Sequence, residues 1–383
     1  MATLLLVAAG LLTRTMHELQ QVHPGFGTDG LLAVELSLPY DRFYGPGTNP
    51  DSASAKLGVY VDRLAEAVRS TPGVEAMAMS SDMPYGDDRG TNAVQPEGYR
   101  PAPDEVVIAA RRFVTGNYFD VMRIPAVQGR VLSTADDHAG AERVMVVTDR
   151  FARHFWPDGR WLNRRVGFWD DDYRVVGVVA DTREHDVRGD EDKFKFYVPA
   201  RASANAGDNL LIHSRVAPEA LLPVLRERIW EVDRSIVIAE ATSMQERIAR
   251  SLAADRYRMR LMVAFSVMAA CFSLLGVYGV MSRTVARRHR ELGLRIALGA
   301  QRRSILSLVL ADATRIGVVG AALGIGAALL ATRMLERLLW GVPRLDPLTY
   351  TCVAALLLVL SLVASLAPAH RASRAEPMRV LRS

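Results

Sequence analysis

The sequence has few cysteines and lacks the common catalytic motifs. Its two cysteines in 383 residues, Cys271 and Cys352, exclude a scaffold held together by disulfides. No G-x-x-x-x-G-K-S/T loop occurs, so the chain has no element that would cradle the phosphates of ATP. The G-x-S-x-G motif of hydrolases and the H-E-x-x-H motif of zinc proteases are also missing. We therefore predict no catalytic and no cofactor-binding residue, and we expect that the chain is not an enzyme.

Patterns of metal ligands are scarce as well. The histidines of the central region share no ligand spacing: His138, His154, His185 and His213. Residues 181–192 contain six acids, but these acids lack the alternating positions of a calcium-binding loop. We predict a solvated loop there and no metal site. A membrane-anchored hydrolase that uses this loop is the alternative.

Hydropathy and charge divide the chain into two kinds of region. Half of the residues are hydrophobic, 23% are charged, and the mean hydropathy is +0.08, which indicates membrane segments combined with a large water-exposed domain. Residues 26–256 hold 29 Lys and Arg against 36 Asp and Glu, a net charge of −7, whereas the remainder holds 18 against 6, a net of +12. The basic residues thus flank the apolar segments. Nucleic acid is excluded as a partner because the polar domain is acidic.

Three apolar segments are long enough to cross a membrane. They are residues 261–282, 316–332 and 348–368, with 22, 17 and 21 residues free of charge, and a spanning helix needs about 20. Residues 2–12 form a fourth, shorter segment that covers only about 17 Å. No basic region precedes it and Arg14 follows it, which disfavours a signal peptide. We predict a truncated first spanning helix whose other half lies upstream of Met1.

Arginine counts predict the orientation of these helices. Residues 283–303 carry seven Arg against one acid, and the C-terminal tail is also basic. Both regions are therefore expected in the cytoplasm, which leaves residues 26–256 outside it. That region mixes predicted strands at 31–38, 144–147 and 173–179 with predicted helices at 54–70, 151–156 and 218–232, typical of an α+β domain with two lobes. We predict that residues 84–104 form a hinge loop between them.

Two further segments are candidates for transmitting motion. Ser243 and Glu246 have the spacing of a capping box, and we expect one helix to run from 244 to 281 as a stalk that continues into the membrane. A stalk that only attaches the domain is the alternative. On the cytoplasmic side, Leu292, Ile296 and Ala300 fall on one face of the basic segment 286–300. This segment either lies on anionic lipid or docks in the groove of a partner.

Small residues and one charged pair mark the second apolar segment. Gly320, Gly324 and Ala328 form a ridge that favours close helix packing, either with a second subunit or within one chain. Asp312 and Arg315 stand three residues apart, and we expect them to pair at the cytoplasmic membrane surface; a functional pair inside the membrane is the alternative.

Several motifs resemble those of one permease family. Residues 286–300, A-R-R-H-R-E-L-G-L-R-I-A-L-G-A, resemble the R-E-I-G-I/L-R-x-A-L/I-G-A signature of FtsX-like ABC transporter permeases. Further stretches resemble permeases of the macrolide-exporter type, with a MacB-like periplasmic core domain: residues 22–27, 116–125, 129–130, 155–157, 175–181 and 366–378. The chain is most similar to the duplicated permeases that lack an ATPase, as the C-terminal half of a longer chain.

The resemblance implies a fold with three domains. A truncated first helix and stalk (1–25) precede a MacB-like extracytoplasmic α+β domain (26–242). A stalk, three full transmembrane helices, a coupling helix at 286–300 and a basic tail follow (243–383). The coupling helix would contact the ATPase through eight residues: Arg288, Arg290, Glu291, Leu292, Gly293, Arg295, Ile296 and Gly299.

The resemblance also implies a function and partners. A separate cytoplasmic ABC ATPase would hold the ATP, and a second permease unit would complete the complex, as a homodimer or a duplicated half. The chain would cross the bacterial inner membrane several times, in contact with lipid, and pass motion to a periplasmic partner or substrate in efflux or extrusion. A membrane scaffold that recruits an extracytoplasmic partner without transport is the alternative.

Overall fold

A computed structural model describes residues 2–43, 50–86, 90–138, 140–184, 194–201, 207–288, 291, 295, 301–335, 342–343 and 345–373. These residues form two compact units. The first, here called the α+β unit, is His23–Leu252, and the second, here called the helical unit, combines Met1–Val22 with Ala253–Ser383. The chain therefore passes between the units twice, after Val22 and after Leu252.

The α+β unit contains most of the regular structure. Its strands are β1 Leu31–Ser37, β2 Val74–Ser80, β3 Thr91–Pro96, β4 Ile108–Val114, β5 Ala126–Gly129, β6 Val144–Thr148, β7 Arg165–Phe168, β8 Asp171–Val179, β9 Lys195–Pro199, β10 Asn209–Ser214 and β11 Val237–Ser243. Its helices are α2 Pro50–Arg69, α3 Tyr118–Met122, α4 Asp149–Phe155, α5 Pro218–Val232 and α6 Met244–Ser251. The helical unit contains α1 Ala2–Gln21, α7 Ala253–Arg287, α8 Arg302–Leu335 and α9 Pro347–Ser373.

The first lobe of the α+β unit is an antiparallel sheet in the order β11-β1-β10-β2. Alternate residues of β1 point to opposite faces, so Leu31 packs in one apolar cluster and Leu32 in another. Helix α2 covers the second face through buried residues at helical spacing: Leu57, Val61, Leu64 and Val68. The helix expected at 54–70 is therefore confirmed.

The second lobe is a barrel. Strands β4-β3-β7-β8-β6-β9 follow one another, and the pairing of β4 with β9 closes the ring of six. Its apolar cluster is rich in aromatic side chains: Phe113, Phe151, Phe155, Trp156, Phe168, Tyr173 and Phe196. The sheets of the two lobes join through a single residue pairing, Ser80 with Val114. Each lobe thus has an apolar cluster of its own, and a third cluster around α3 contains residues of both sheets.

The helical unit contains three described helices that are long and apolar enough to cross a membrane, α7, α8 and α9. They include the three uncharged segments of the sequence, so the expected transmembrane bundle is confirmed. Hydroxyl groups join these helices to their neighbours. Ser266 Oγ donates a hydrogen bond to the backbone oxygen of Leu5 on α1 at 2.7 Å, and Ser361 Oγ donates to that of Ala313 at 3.1 Å.

The predicted helix from 244 to 281 is not continuous. Ser243 caps α6 as expected, because its hydroxyl accepts a hydrogen bond from the backbone N–H of Glu246 at 3.2 Å. The helix then ends at Leu252, whose backbone lies at φ −88° and ψ 3°, and a new helix begins at Ala253. The Ser251 hydroxyl bonds to the Ile248 carbonyl, a local contact that competes with the helix ladder, and the Leu252 side chain is buried. The prediction of a single, continuous stalk helix is therefore wrong.

The expected hinge loop at 84–104 is also wrong in part. Residues Thr91–Pro96 form β3, which pairs with β4 on one side and β7 on the other. The sequence pattern does not reveal this strand, because glycines, prolines and acids flank it and only Val94 and Pro96 are buried.

Candidate functional site

The predicted coupling segment is described at three of its eight residues. Arg288 is the first residue after α7, and Glu291 and Arg295 are helical. Arg295 Nη2 lies 2.6 Å from Glu291 Oε1, an exposed pair one helical turn apart. The other five lie outside the described residues: Arg290, Leu292, Gly293, Ile296 and Gly299. The structure therefore describes the start of the segment at Arg288, here called its root.

This root is held to the next helix by a salt bridge. Arg288 Nη1 lies 3.0 Å from Asp312 Oδ2 on α8. The sequence predicts a different pair, Asp312 with Arg315, and this prediction is wrong, since Arg315 forms no ion pair within the part of the chain that the structure describes. A partner 24 residues away along the chain replaces the local one because the ends of α7 and α8 pack together. Both side chains are half-exposed, so the salt bridge contributes little to the stability of the fold. It does fix the direction in which the chain leaves α7.

Apolar packing supports the same region. A buried cluster joins the facing ends of α7, α8 and α9 through Met281, Val309, Ala313 and Ala369. On its rim, Arg371 Nη1 donates a hydrogen bond to the Tyr278 hydroxyl at 3.3 Å. A displacement of the coupling segment would therefore act on three helices together.

The opposite end of the helical unit has its own charged contact. Arg14 Nη1 on α1 lies 2.5 Å from Asp346 Oδ1, and the Asp346 side chain is only 5% exposed. The other carboxylate oxygen accepts hydrogen bonds from the backbone and the hydroxyl of Thr349 in the first turn of α9. Asp346 therefore caps α9 and attaches it to α1 at once. No local sequence signal indicates this pair, because its members are 332 residues apart.

The small-residue ridge divides between two environments. A methyl group at Gly324 would overlap the side chain of Thr3 on α1, and Ala328 is fully buried in a cluster with Val7 and Leu11. Gly320, by contrast, has open space where a side chain would lie. Two of the three residues therefore pack within this chain, against α1.

A buried charge cluster lies in the α+β unit. It consists of four side chains, each at most 2% exposed: Asp82, Arg112, Glu184 and Lys195. Arg112 Nε lies 2.9 Å from Glu184 Oε2, and Arg112 Nη1 lies 3.4 Å from Asp82 Oδ1. Lys195 Nζ donates to the backbone oxygen of Thr182. Two cations and two anions thus balance in the interior.

Hydrogen bonds and charge keep Glu184 ionised. Its Oε1 accepts from the Thr182 hydroxyl at 2.6 Å and from the Tyr197 hydroxyl at 3.0 Å. Burial alone would raise the pKa of Glu184, but the charges of Lys195 and Arg112 and the hydrogen bonds from Thr182 and Arg112 hold it far below its usual range. Burial, reinforced by the Glu184 charge, raises the pKa of Tyr197 well above its usual value. Glu184 therefore stays ionised, and the neighbouring Tyr197 stays neutral.

The charge cluster corrects the prediction for the acidic loop. Residues 181–184 are described, and Glu184 is 1% exposed and ion-paired rather than solvated. Residues 185–192 lie outside the described part. Sequence reasoning missed this role because the partners Arg112 and Lys195 come from strands β4 and β9. The available signal was Lys195 in β9 and the neighbouring Arg111 and Arg112 in β4, two strands that are otherwise apolar.

The α+β unit also has an open cleft of about 500 Å³, lined by residues of β1, β11 and α6. Arg247 lies in it and bonds to Glu35, to Glu240 Oε2 at 2.9 Å and to the Pro84 backbone oxygen at 3.0 Å. Arg250 pairs with Glu240 as well. Asp208 also lines the cleft, which therefore presents side chains of both charges. Among the described residues, no group of three or more His, Cys, Asp or Glu could hold a metal ion.

Comparisons with known proteins agree on one family. Residues 7–232 match the family model of the MacB-like periplasmic core domain, and residues 263–377 match that of the FtsX-like permease C-terminal domain. An uncharacterised ABC transporter permease of Bacillus subtilis, YvrN, is 24% identical over 285 residues, which are 70% of this chain and 69% of that permease.

An exporter and a solved structure are also similar. The macrolide export ATP-binding/permease protein MacB of Campylobacter jejuni is 25% identical over 225 residues, which are 55% of this chain and 34% of the exporter. This chain thus spans only about a third of that exporter's length. The crystal structure of the periplasmic region of MacB from Actinobacillus actinomycetemcomitans is 14% identical, with a TM-score of 0.40, and the match covers 61% of this chain and 97% of that one. The chain therefore belongs to the family of ABC transporter permeases that combine a MacB-like periplasmic core domain with an FtsX-like permease C-terminal domain.

Proposed function

We propose that this permease couples a separate cytoplasmic ATPase to motion of its periplasmic-type domain, in the export of a substrate. One observation carries the proposal. The described root of the coupling segment, Arg288, is attached to α8 by Asp312 at the place where α7, α8 and α9 share a buried cluster. An ATPase that pulls on the segment would therefore move the helices as a group.

The contacts further along the helices supply a route for that motion. Ser361 on α9 bonds to the backbone of Ala313, which belongs to that cluster, and Asp346 at the start of α9 holds Arg14 of α1. Helix α1 leads directly into the α+β unit, and α7 follows directly after that unit in the chain. Motion would then pass through connected rigid helices, because each contact shifts the position of the next helix.

Partners follow from the same proposal. ATP and its hydrolysis would belong to the ATPase subunit and not to this chain. A second permease unit would pair with it in the bacterial inner membrane, and the α+β unit would act on a periplasmic partner or substrate. Export as the direction of transport is supported by the name of the MacB relative, which is a macrolide exporter.

The proposal is tested by ATP hydrolysis in a reconstituted membrane. A cytoplasmic ABC ATPase from the same organism is assayed alone and with the full chain in lipid nanodiscs. We expect a stable complex in which the permease changes the ATPase rate several-fold. If the ATPase neither binds the chain nor changes its rate, coupling is refuted.

A non-transport scaffold is the second candidate, and one residue favours it. Trp169, in the turn between β7 and β8, is 58% exposed and has φ +54°, a backbone region where glycine is preferred. Its ring stacks on Phe168 at 4.5 Å, and the Arg111 guanidinium lies 5.7 Å from it. An exposed, strained Trp beside an Arg is typical of a protein-docking site. This candidate gains if no ATPase binds while the chain retains an extracytoplasmic partner that Trp169→Gly releases.

A further inference from the structure

The first turns of α7 contain several arginines. Basic residues are unusual at this end of the helix. Arg256, Arg258 and Arg260 lie in five consecutive residues, immediately before the uncharged run that starts at Leu261. This end of α7 follows the MacB-like periplasmic core domain, so it lies on the extracytoplasmic side. Lys and Arg are normally enriched on the cytoplasmic side. Their position therefore calls for a specific counter-charge.

Among the residues that the structure describes, Arg258 has such a counter-charge and Arg260 does not. Arg258 Nη1 lies 3.2 Å from Asp255 Oδ1, and Asp346 is occupied by Arg14. Glu18 on α1 lies about 10 Å further from the bilayer centre, as the level of the Leu5–Ser266 contact and the rise of an α-helix indicate. Within the described residues, the exposed Arg260 forms no ion pair.

The surroundings of Arg260 place its guanidinium at the level of lipid headgroups. Leu261 is 38% exposed and Val263 39%, as expected of side chains that face hydrocarbon. Tyr257, one turn before Arg260 on the same face, is 63% exposed, which is typical of the aromatic belt at the membrane surface. A long Arg side chain at this position extends toward the headgroups and binds phosphate through two N–H groups.

We propose that Arg260, with Tyr257 beside it, binds the phosphate of an anionic phospholipid in the outer leaflet of the membrane. The lipid supplies the counter-charge that the described chain lacks. Zwitterionic lipids carry a cationic ammonium group that neutralises their phosphate, so the site prefers phosphatidylglycerol over phosphatidylcholine. The proposal rests on the outer placement of the MacB-like domain and is independent of the ATPase coupling proposed above.

Native mass spectrometry of the full chain from nanodiscs with equal amounts of the two lipids tests the site. One Arg near the surface contributes about 1 kcal/mol to binding of an anionic lipid, so we expect ~5-fold enrichment of phosphatidylglycerol that Arg260→Gln removes. Arg260→Lys keeps the charge and most of the enrichment. Arg69→Gln, at a half-exposed residue of α2, is the matched control for loss of one charge and leaves it unchanged.

Three results would overturn the proposal. Arg260→Gln retains the wild-type enrichment, or Arg69→Gln loses as much as Arg260→Gln, which would indicate a general charge effect. In the third, millimolar inorganic phosphate displaces the retained lipid, which would indicate a site for soluble anions instead.

Discussion

Replacing Glu184 by Gln lowers the free energy of unfolding of the α+β unit by about 3–5 kcal/mol, because it breaks a buried salt bridge from one side. Arg112 and Lys195 would remain in the interior with one carboxylate fewer, and both are about 1% exposed. Gln cannot compensate for the lost charge, although it fills the same space. The effect is therefore larger than the loss of a hydrogen bond, which is about 1 kcal/mol.

Tryptophan fluorescence during denaturant unfolding of the full chain measures this effect. The α+β unit contains four of the five tryptophans, so the signal reports mainly on it. Glu142→Gln is the matched control, because Glu142 pairs with Arg174 at the surface, at 2.6 Å. We expect a large fall of the unfolding midpoint for Glu184→Gln and almost none for Glu142→Gln. Equal shifts for the two variants would show that the cluster does not stabilise the fold.

The stability difference between wild type and Glu184→Gln depends on pH in a direction that the pKa of Glu184 determines. The folded-state pKa of Glu184 lies below the unfolded value of about 4.3, so its stabilisation is present in full above that pH. It is lost as the pH falls from there toward the folded-state pKa, because the unfolded chain takes up the proton first. We expect the difference between wild type and Glu184→Gln to stay constant near neutral pH and to narrow below about pH 4.3.

Substituting both Leu292 and Ile296 by Asp releases the ATPase from the permease. The two side chains stand four residues apart in the coupling segment, on the face that would enter the ATPase groove. A carboxylate in an apolar groove must lose its water without gaining a partner, which costs several kcal/mol. Two such groups weaken binding by at least ~100-fold.

Co-purification of the ATPase with tagged permease measures this release. Val59→Asp is the control, since Val59 is a 56% exposed apolar residue on α2 in the α+β unit. We expect the control to retain the ATPase and the double variant to lose it while still reaching the membrane. Retention by both variants would assign the segment to the lipid surface instead, the other role that its basic amphipathic character allows.

The sequence predicts the elements whose cause is local. Helix α2 follows from apolar residues at helical spacing, and the start of α6 follows from the Ser243 cap. The three spanning helices follow from length and hydropathy. These features depend on neighbours within a few residues, which a sequence displays directly.

The features that sequence reasoning missed depend on contacts between distant residues. Glu184 was assigned to a solvated loop because its partners Arg112 and Lys195 come from other strands. Asp312 pairs with Arg288 across a helix interface rather than with Arg315 on its own helix. The end of α6 at Leu252 has no Pro or Gly to mark it, since a hydroxyl contact and a buried side chain stop the helix.

In the proposed mechanism, ATP binding by the partner moves the α+β unit relative to the helical unit. Pulsed electron resonance between labels at Val59→Cys and Gln20→Cys, with Cys271 and Cys352 replaced by Ser, measures this distance in the assembled complex. We predict that the distance distribution shifts when ATP is added and returns after hydrolysis. The Leu292→Asp, Ile296→Asp variant is expected to show no shift. An unchanged distribution in a complex that still binds the ATPase and hydrolyses ATP would contradict the account.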